Sequence, residues 1–126
     1  MRKLIKEAEA AAENKNSGVL REFISERYRD SEGRDKRTIE GIIRYYFLRN
    51  ESIHLLTRTQ AITFPQPNRA ETTVFVAMAG QPISSMQELP RIRADLHRFD
   101  IVFVTEDGAW KVISAEWRRA VVEDFL

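Results

Sequence analysis

The spacing of apolar residues changes near residue 52, and this change limits the possible folds more than any other feature of the sequence. Before it, apolar side chains recur at helical spacing, as in Ile39, Ile42, Ile43, Tyr46 and Phe47. After it, β-branched and aromatic residues follow the period of two that is typical of strands. Because the helical part precedes the strand part, the sequence predicts an α+β fold with helices on one face of an antiparallel sheet.

Polar or glycine-containing stretches divide the helical part into three segments. We predict helices over residues 3–14 and 19–28, and a third that begins after Asp35 as its N-cap and stops at Asn50. Four strands are predicted after them, over residues 53–64, 69–79, 91–105 and 109–119. The sequence predicts no secondary structure for residues 121–126. At this length, the chain is expected to form one domain over residues 1–126.

The dipeptide Asp107-Gly108 is a strong signal for a two-residue hairpin turn. Such a turn pairs Glu106 with Ala109, and the register then sets which side chains share a face. Phe99 should face Glu116, and His97 should face Arg118. The predicted pocket face is apolar near the turn and ionisable far from it, and comprises Asp95, His97, Phe99, Ile101, Phe103, Trp110, Val112, Glu116 and Arg118.

The opposite face of this hairpin is also predicted to be apolar, with Val102, Val104, Ile113 and Trp117, and Arg98 is placed over Trp117. An apolar face exposed to water is unfavourable, so we predict that it is buried in a homodimer. An irregularity in the pairing would reverse the facing of every side chain beyond it.

The charge balance and the residue types exclude several classes of function. The chain has 20 basic and 19 acidic residues, which leaves no general attraction for nucleic acid. It has no cysteine, so disulfides and cysteine-ligated zinc are ruled out. His54 and His97 have no supporting carboxylate pattern, so no metal or cofactor is predicted. There is no phosphate-binding loop, no nucleophile elbow and no membrane-spanning run. The compartment stays open: cytoplasmic as written, or exported if a signal was removed.

Two segments make the sequence similar to the nuclear transport factor 2-like superfamily. YRDSEGRDKRTIEGIIRYYF (28–47) resembles its helix–loop–helix entry, and RFDIVFVTEDGAWKVISAEWRR (98–119) resembles its closing hairpin. With the order of the helices, the resemblance covers about residues 3–119. It implies a cone-shaped, curved antiparallel sheet of about four strands wrapped around three N-terminal helices. It also implies an open cavity at one end and, commonly, dimers through the sheet.

The resemblance also gives Asp30 a role, since its loop position matches the general base of ketosteroid isomerase-like members. The rest of that isomerase pattern is missing. An oxyanion hole needs a neutral carboxylic acid, but Asp95 and Glu116 have Arg93, His97 and Arg118 as expected neighbours. Nearby cations lower a carboxyl pKa and keep the group ionised.

Two functions are therefore expected. The first is a domain that binds a small apolar or amphiphilic ligand, or serves as an accessory module, without chemistry. The alternative is a small hydrolase, isomerase or cyclase with Asp30 and His97 as catalytic residues. In either case the predicted ligand-binding residues are Tyr28, Asp95, Phe99, Glu116 and Arg118. A protein-interaction module that works through the dimer face is a third possibility.

Overall fold

The structure is a computed structural model that describes all 126 residues, with three α-helices followed by one four-stranded sheet. The helices are α1 (Arg2–Glu13), α2 (Ser17–Phe23) and α3 (Lys36–Arg49). The strands are β1 (His54–Gln66), β2 (Arg69–Ala79), β3 (Asp95–Glu106) and β4 (Ala109–Arg119). Two short 3-10 helices lie at Met86–Arg91 and Val122–Phe125. The predicted α+β class is confirmed.

The sheet is antiparallel, in the order β1-β2-β3-β4, and it is strongly curved. Phe64 lies on one edge strand and Trp110 on the other, yet their ring centroids are 6.1 Å apart. Neighbouring strands are about 4.8 Å apart, so a flat sheet would hold its two edges roughly 14 Å apart. The sheet therefore curls into a cone that narrows at the β1–β2 and β3–β4 turns, as the fold prediction required.

Helix α3 has the boundaries that its sequence predicts. The side chain of Asp35 accepts a hydrogen bond from the backbone N–H of Thr38 at 2.9 Å, which satisfies a free donor of the first turn. At the other end, the backbone N–H and the side-chain amide of Asn50 both donate to the carbonyl oxygen of Tyr46. The predicted cap and stop are both confirmed.

Helix α2 is shorter than predicted, because the chain leaves the helix at Ile24 and runs beside β4. The N–H of Ser25 donates to the carbonyl of Val112 at 2.9 Å, and the N–H of Arg29 donates to that of Ile113 at 3.1 Å. An edge strand has unpaired backbone groups, and this extended segment satisfies them. The helical prediction through Tyr28 is wrong for that reason.

The hairpin turn is confirmed, but its predicted register holds only over the first half of the strands. Asp107 and Gly108 both have positive φ, and Phe103 pairs with Val112 as expected. A β-bulge at Ile113 then shifts the pairing, so that Val102 lies opposite Ser114 and His97 lies opposite Arg119. A shift of one residue turns all later side chains of β4 to the other face.

The bulge overturns several predicted neighbours. Glu116 and Arg118 are on the convex face of the sheet, on the opposite side from His97 and Phe99. Trp117 is on the concave face, and its ring centroid lies 6.1 Å from that of Phe99 with the two ring planes 29° apart.

The sequence predicted Arg98 over Trp117, and this is wrong, because Arg98 lies opposite Arg118. The guanidinium of Arg34 lies 4.1 Å from the centre of the Trp117 ring instead.

The C-terminal tail covers part of the convex face. Phe125 is buried and packs against Phe75 of β2, with ring centroids 5.9 Å apart. Ala77 and Leu89 complete this cluster. This cluster covers the β2 part of the convex face, whereas Val102 and Val104 of β3 are only partly buried, so the homodimer through that face stays a prediction.

Burial on the concave face falls from the narrow end of the cone to the wide end. Ala70, Thr72, Val74 and Phe103 are buried near the narrow end, together with Tyr28. Towards the wide end, the apolar side chains Val76, Met78, Phe99 and Trp117 are only partly buried. No residue of α3 is buried. None of the helices combines the length and apolarity that crossing a bilayer requires.

Candidate functional site

Alternation along β3 and β4 places His97, Phe99 and Trp117 side by side on the concave face. We call these three residues, with Arg34 of the loop after α2 and Tyr46 of α3, the concave site. Arg34 covers the Trp117 ring at one end of the row. The row is partly exposed along its whole length, so it is an aromatic surface that a second molecule can reach.

Asp30 organises the loop at the β4 edge of this site. Its carboxylate accepts four hydrogen bonds: from the Tyr28 hydroxyl and Arg34 Nε, each at 2.8 Å, and from the backbone N–H groups of Glu32 and Arg34. Its side chain is fully buried. Burial by itself would raise the pKa of this carboxyl, but the hydrogen bonds from Arg34 and Tyr28 outweigh it and lower the pKa. A carboxylate with these donors is a weak proton acceptor.

Tyr28 is buried beside Asp30. Its hydroxyl also lies 3.2 Å from the carbonyl oxygen of Ala115 on β4. Burial, and then the neighbouring Asp30 carboxylate, raise the pKa of this hydroxyl. Tyr28 therefore links the loop to the sheet as a neutral group, and its polar atom is already occupied.

Nδ1 of His97 is fully buried and has no hydrogen-bond partner. It is the only buried side-chain nitrogen or oxygen in the chain without one. Burial lowers the pKa of the imidazole, the Asp95 carboxylate raises it, and the Arg119 guanidinium lowers it again, so that the pKa lies below its ordinary value. A neutral imidazole has one nitrogen that donates and one that accepts a hydrogen bond.

Asp95 and Tyr46 lie at the wide end of the site. Asp95 is exposed and shares the concave face with His97. Burial, and then the charge of Asp95, raise the pKa of the Tyr46 hydroxyl. The protein provides no hydrogen-bond partner for that hydroxyl, so it is free to bind another molecule.

The structure brings five of the seven predicted site residues to the concave side or its edge: Tyr28, Asp30, Asp95, His97 and Phe99. No hydrogen bond joins Asp30 to His97. Sequence reasoning missed Arg34, Tyr46 and Trp117. A signal for Arg34 was present, since it follows Gly33, whose φ of 75° turns the chain back towards Asp30.

No three His, Asp or Glu side chains converge as metal ligands would. A wide, open groove of about 540 Å³ lies between α2 and α3. It is lined by four basic and three acidic side chains, which is typical of a solvated helical surface.

The curved antiparallel sheet with helices along its concave face defines this chain as an α+β cone, and its fold is the nuclear transport factor 2-like fold. No protein-family model matches the sequence, and no curated protein matches it.

Solved structures do match. A candidate scytalone dehydratase from Novosphingobium aromaticivorans has a TM-score of 0.76 at 12% identity, over 95% of this chain and 81% of that one. A designed nuclear transport factor 2-like protein has a TM-score of 0.69 at 15% identity, over 93% and 95%.

Bdellovibrio bacteriovorus Bd1075 has a TM-score of 0.75 at 12% identity, over 95% of this chain. The chain spans only 39% of that longer protein. The TM-scores show that these proteins share one fold. Sequence identities this low do not carry an activity from one protein to another.

Proposed function

We propose that the concave site binds a small apolar or amphiphilic molecule and carries out no chemistry on it. The single observation that carries this proposal is the partly exposed aromatic row of His97, Phe99 and Trp117 on the concave face. Small-molecule sites are commonly concave and aromatic-lined, with a few polar groups that fix orientation. The hydroxyl of Tyr46, which has no hydrogen-bond partner within the chain, supplies such a group here.

The state of Asp30 supports binding over catalysis. A general base needs a free lone pair directed at the substrate and a pKa near the working pH. Asp30 has a lowered pKa and four donors that occupy its oxygens. Its role in the proposal is to hold Arg34 against Trp117.

The alternative is a hydrolase, isomerase or cyclase that uses Asp30 and His97. The neutral His97, which has no hydrogen-bond partner, favours it, since a neutral imidazole is able to take a proton. The similarity in fold to a candidate scytalone dehydratase is consistent with it. This alternative requires Asp30 to give up hydrogen bonds when a substrate enters.

Binding can be tested with 1-anilinonaphthalene-8-sulfonate, a fluorescent amphiphile, together with mass spectrometry of any copurified ligand. Phe99→Ala removes the centre of the aromatic row and should weaken probe binding about tenfold, as the loss of one buried aromatic contact predicts. Val102→Ala, on the convex face of the same strand, is the matched control. Equal probe affinity in the wild type and both variants would contradict the proposal.

Catalysis is tested separately by a substrate screen on the wild type, Asp30→Ala and His97→Ala. Turnover that both variants abolish would replace the binding proposal with the enzyme. The proposal also treats residues 1–126 as one domain, which should unfold in a single cooperative transition.

A further inference from the structure

The guanidinium of Arg34 is held in place on two sides and keeps part of its hydrogen-bonding capacity free. Its Nε donates to the Asp30 carboxylate at 2.8 Å, and its Cζ lies 4.1 Å from the centre of the Trp117 ring. Nη1 and Nη2 make no hydrogen bond within the chain, and neither atom is fully buried, so both are open to solvent. A planar fork that is held this way can bind an oxyanion through two parallel hydrogen bonds.

A second cation without a partner lies at the wide end of the same face. Arg119 follows Trp117 by two residues on β4, so both side chains project from the concave face, with Cα atoms about 7 Å apart. Arg119 lies opposite His97, and its side chain is exposed and forms no ion pair within the chain. Because of the bulge at Ile113, this residue, and not Arg118, is the cation that faces the hollow of the cone.

Asp30 and Asp95 lie on the same side of the sheet, but neither forms an ion pair with Arg119. Asp30 is paired with Arg34, and four donors occupy its oxygens. Asp95 is exposed and lies four residues before Phe99, which is about 13 Å along the strand from the middle of the aromatic row. The positive charge of Arg119 is therefore available to a bound molecule.

We propose that the molecule bound at the concave site is an organic monoanion, a carboxylate or sulfonate with an apolar or aromatic body. Its oxygens accept hydrogen bonds from Arg34 and Arg119, and its apolar part lies along Phe99 and Trp117. This inference rests on the proposed function and adds the charge of the ligand to it. Because Asp30 already offsets one of the two cations, the groups that border Trp117 match a single negative charge and not the double charge of a phosphate monoester.

The test compares two fluorescent probes that share the same rings. One is 1-anilinonaphthalene-8-sulfonate, called here the sulfonate probe. The other is N-phenyl-1-naphthylamine, which lacks the sulfonate and is called here the uncharged probe. The full chain should bind the sulfonate probe about tenfold more tightly, the effect of one charged hydrogen bond. Raising the salt concentration should reduce this preference and leave binding of the uncharged probe unchanged.

Two neighbouring arginines on opposite faces of β4 provide the matched variants. Arg119→Gln removes the cation on the concave face and should weaken binding of the sulfonate probe about tenfold, with little effect on the uncharged probe. Arg118→Gln removes an equally exposed cation from the convex face and should bind both probes as the wild type does. Neither guanidinium has a partner within the chain, so both variants should fold normally.

The same titrations separate failure of this inference from failure of the proposed function. Equal affinity for the two probes, or equal effects of Arg119→Gln and Arg118→Gln, overturns the monoanion. Tighter binding of dodecyltrimethylammonium than of dodecanoate also overturns it, because the polar end would then belong to Asp95. If Phe99→Ala still weakens the uncharged probe, the aromatic surface and the proposed function remain supported. If neither probe binds the wild type, both are wrong.

Discussion

At the scale of single residues, Asp30 shows how a functional pattern can have a structural explanation. Its position in the loop after α2 suggested a general base. Its four hydrogen bonds show that it instead fixes the path of residues 30–34 and the position of Arg34 over Trp117. The sequence could identify the residue, but the donors around it depend on how the loop turns at Gly33.

Replacing Asp30 should therefore affect stability first. Asp30→Asn leaves Arg34 and Tyr28 without their charged acceptor, and we expect a loss of about 2 kcal/mol, below the usual range for a buried pair because Arg34 is partly exposed. The folded pKa of Asp30 is lowered, so its stabilisation is complete above its unfolded pKa of about 4 and is lost as pH falls through the folded pKa.

Urea unfolding at several pH values between about 2 and 7 measures the free energy of unfolding across the range in which carboxyl groups titrate. The difference between wild type and Asp30→Asn should shrink as the pH becomes acidic. Glu51→Gln, which removes an exposed acid that makes no ion pair, is the control for losing an acid elsewhere. A constant difference at every pH would mean that the charge of Asp30 contributes nothing.

His97 should give a pH dependence of its own. Its folded pKa is lowered, so the unfolded state binds more protons, and stability rises with pH up to the unfolded pKa of about 6.5. His97→Phe should remove this slope, which is measured as the free energy of unfolding against pH. His54→Gln, at the only other histidine, is the control.

At the scale of elements, the two glycines Gly108 and Gly41 should respond in opposite ways to the same change. Gly108 has a φ of 80° in the hairpin turn, so Gly108→Ala should cost about 1 kcal/mol. Gly41 lies inside α3 with open space around its Cβ position, so Gly41→Ala should stabilise by about 0.5–1 kcal/mol. Thermal unfolding of both variants checks the pair, and a shift in the same direction would refute the assigned conformations.

Strong local signals predicted the elements well. The cap at Asp35, the hairpin turn and the limits of β2 and β4 follow from residues close in sequence. Two features could not be predicted, since they depend on distant partners. The chain leaves α2 at Ile24 because β4 offers it backbone groups, and β3 begins four residues late because Pro90 belongs to a 3-10 helix.

At the scale of the whole molecule, the cone has apolar packing on both faces of one sheet. The concave face packs Tyr28, Val74 and Phe103 near its narrow end, and the convex face packs Phe125 against Phe75. The last six residues had no predicted structure, because a single buried phenylalanine in a short tail gives no periodic signal. The tail nevertheless packs against the sheet and contributes Phe125 to the buried cluster there.

Removing the tail's contact should weaken the whole fold. Phe125→Ala should cost about 3–5 kcal/mol, the usual range for removing a buried aromatic ring. Leu126→Ala, next to it and 67% exposed, should change stability little. Denaturant unfolding measures both variants. Equal, small effects would show that the tail does not hold the sheet.

The extra residue at Ile113 has a consequence for how this interior could change over evolution. It decides whether Trp117 or its charged neighbours Glu116 and Arg118 line the hollow of the cone. Gain or loss of one amino acid in β4 would exchange an aromatic lining for an ionic one, with no substitution at any lining position. Chain length in that strand, more than residue identity, therefore determines what kind of molecule such a hollow can hold.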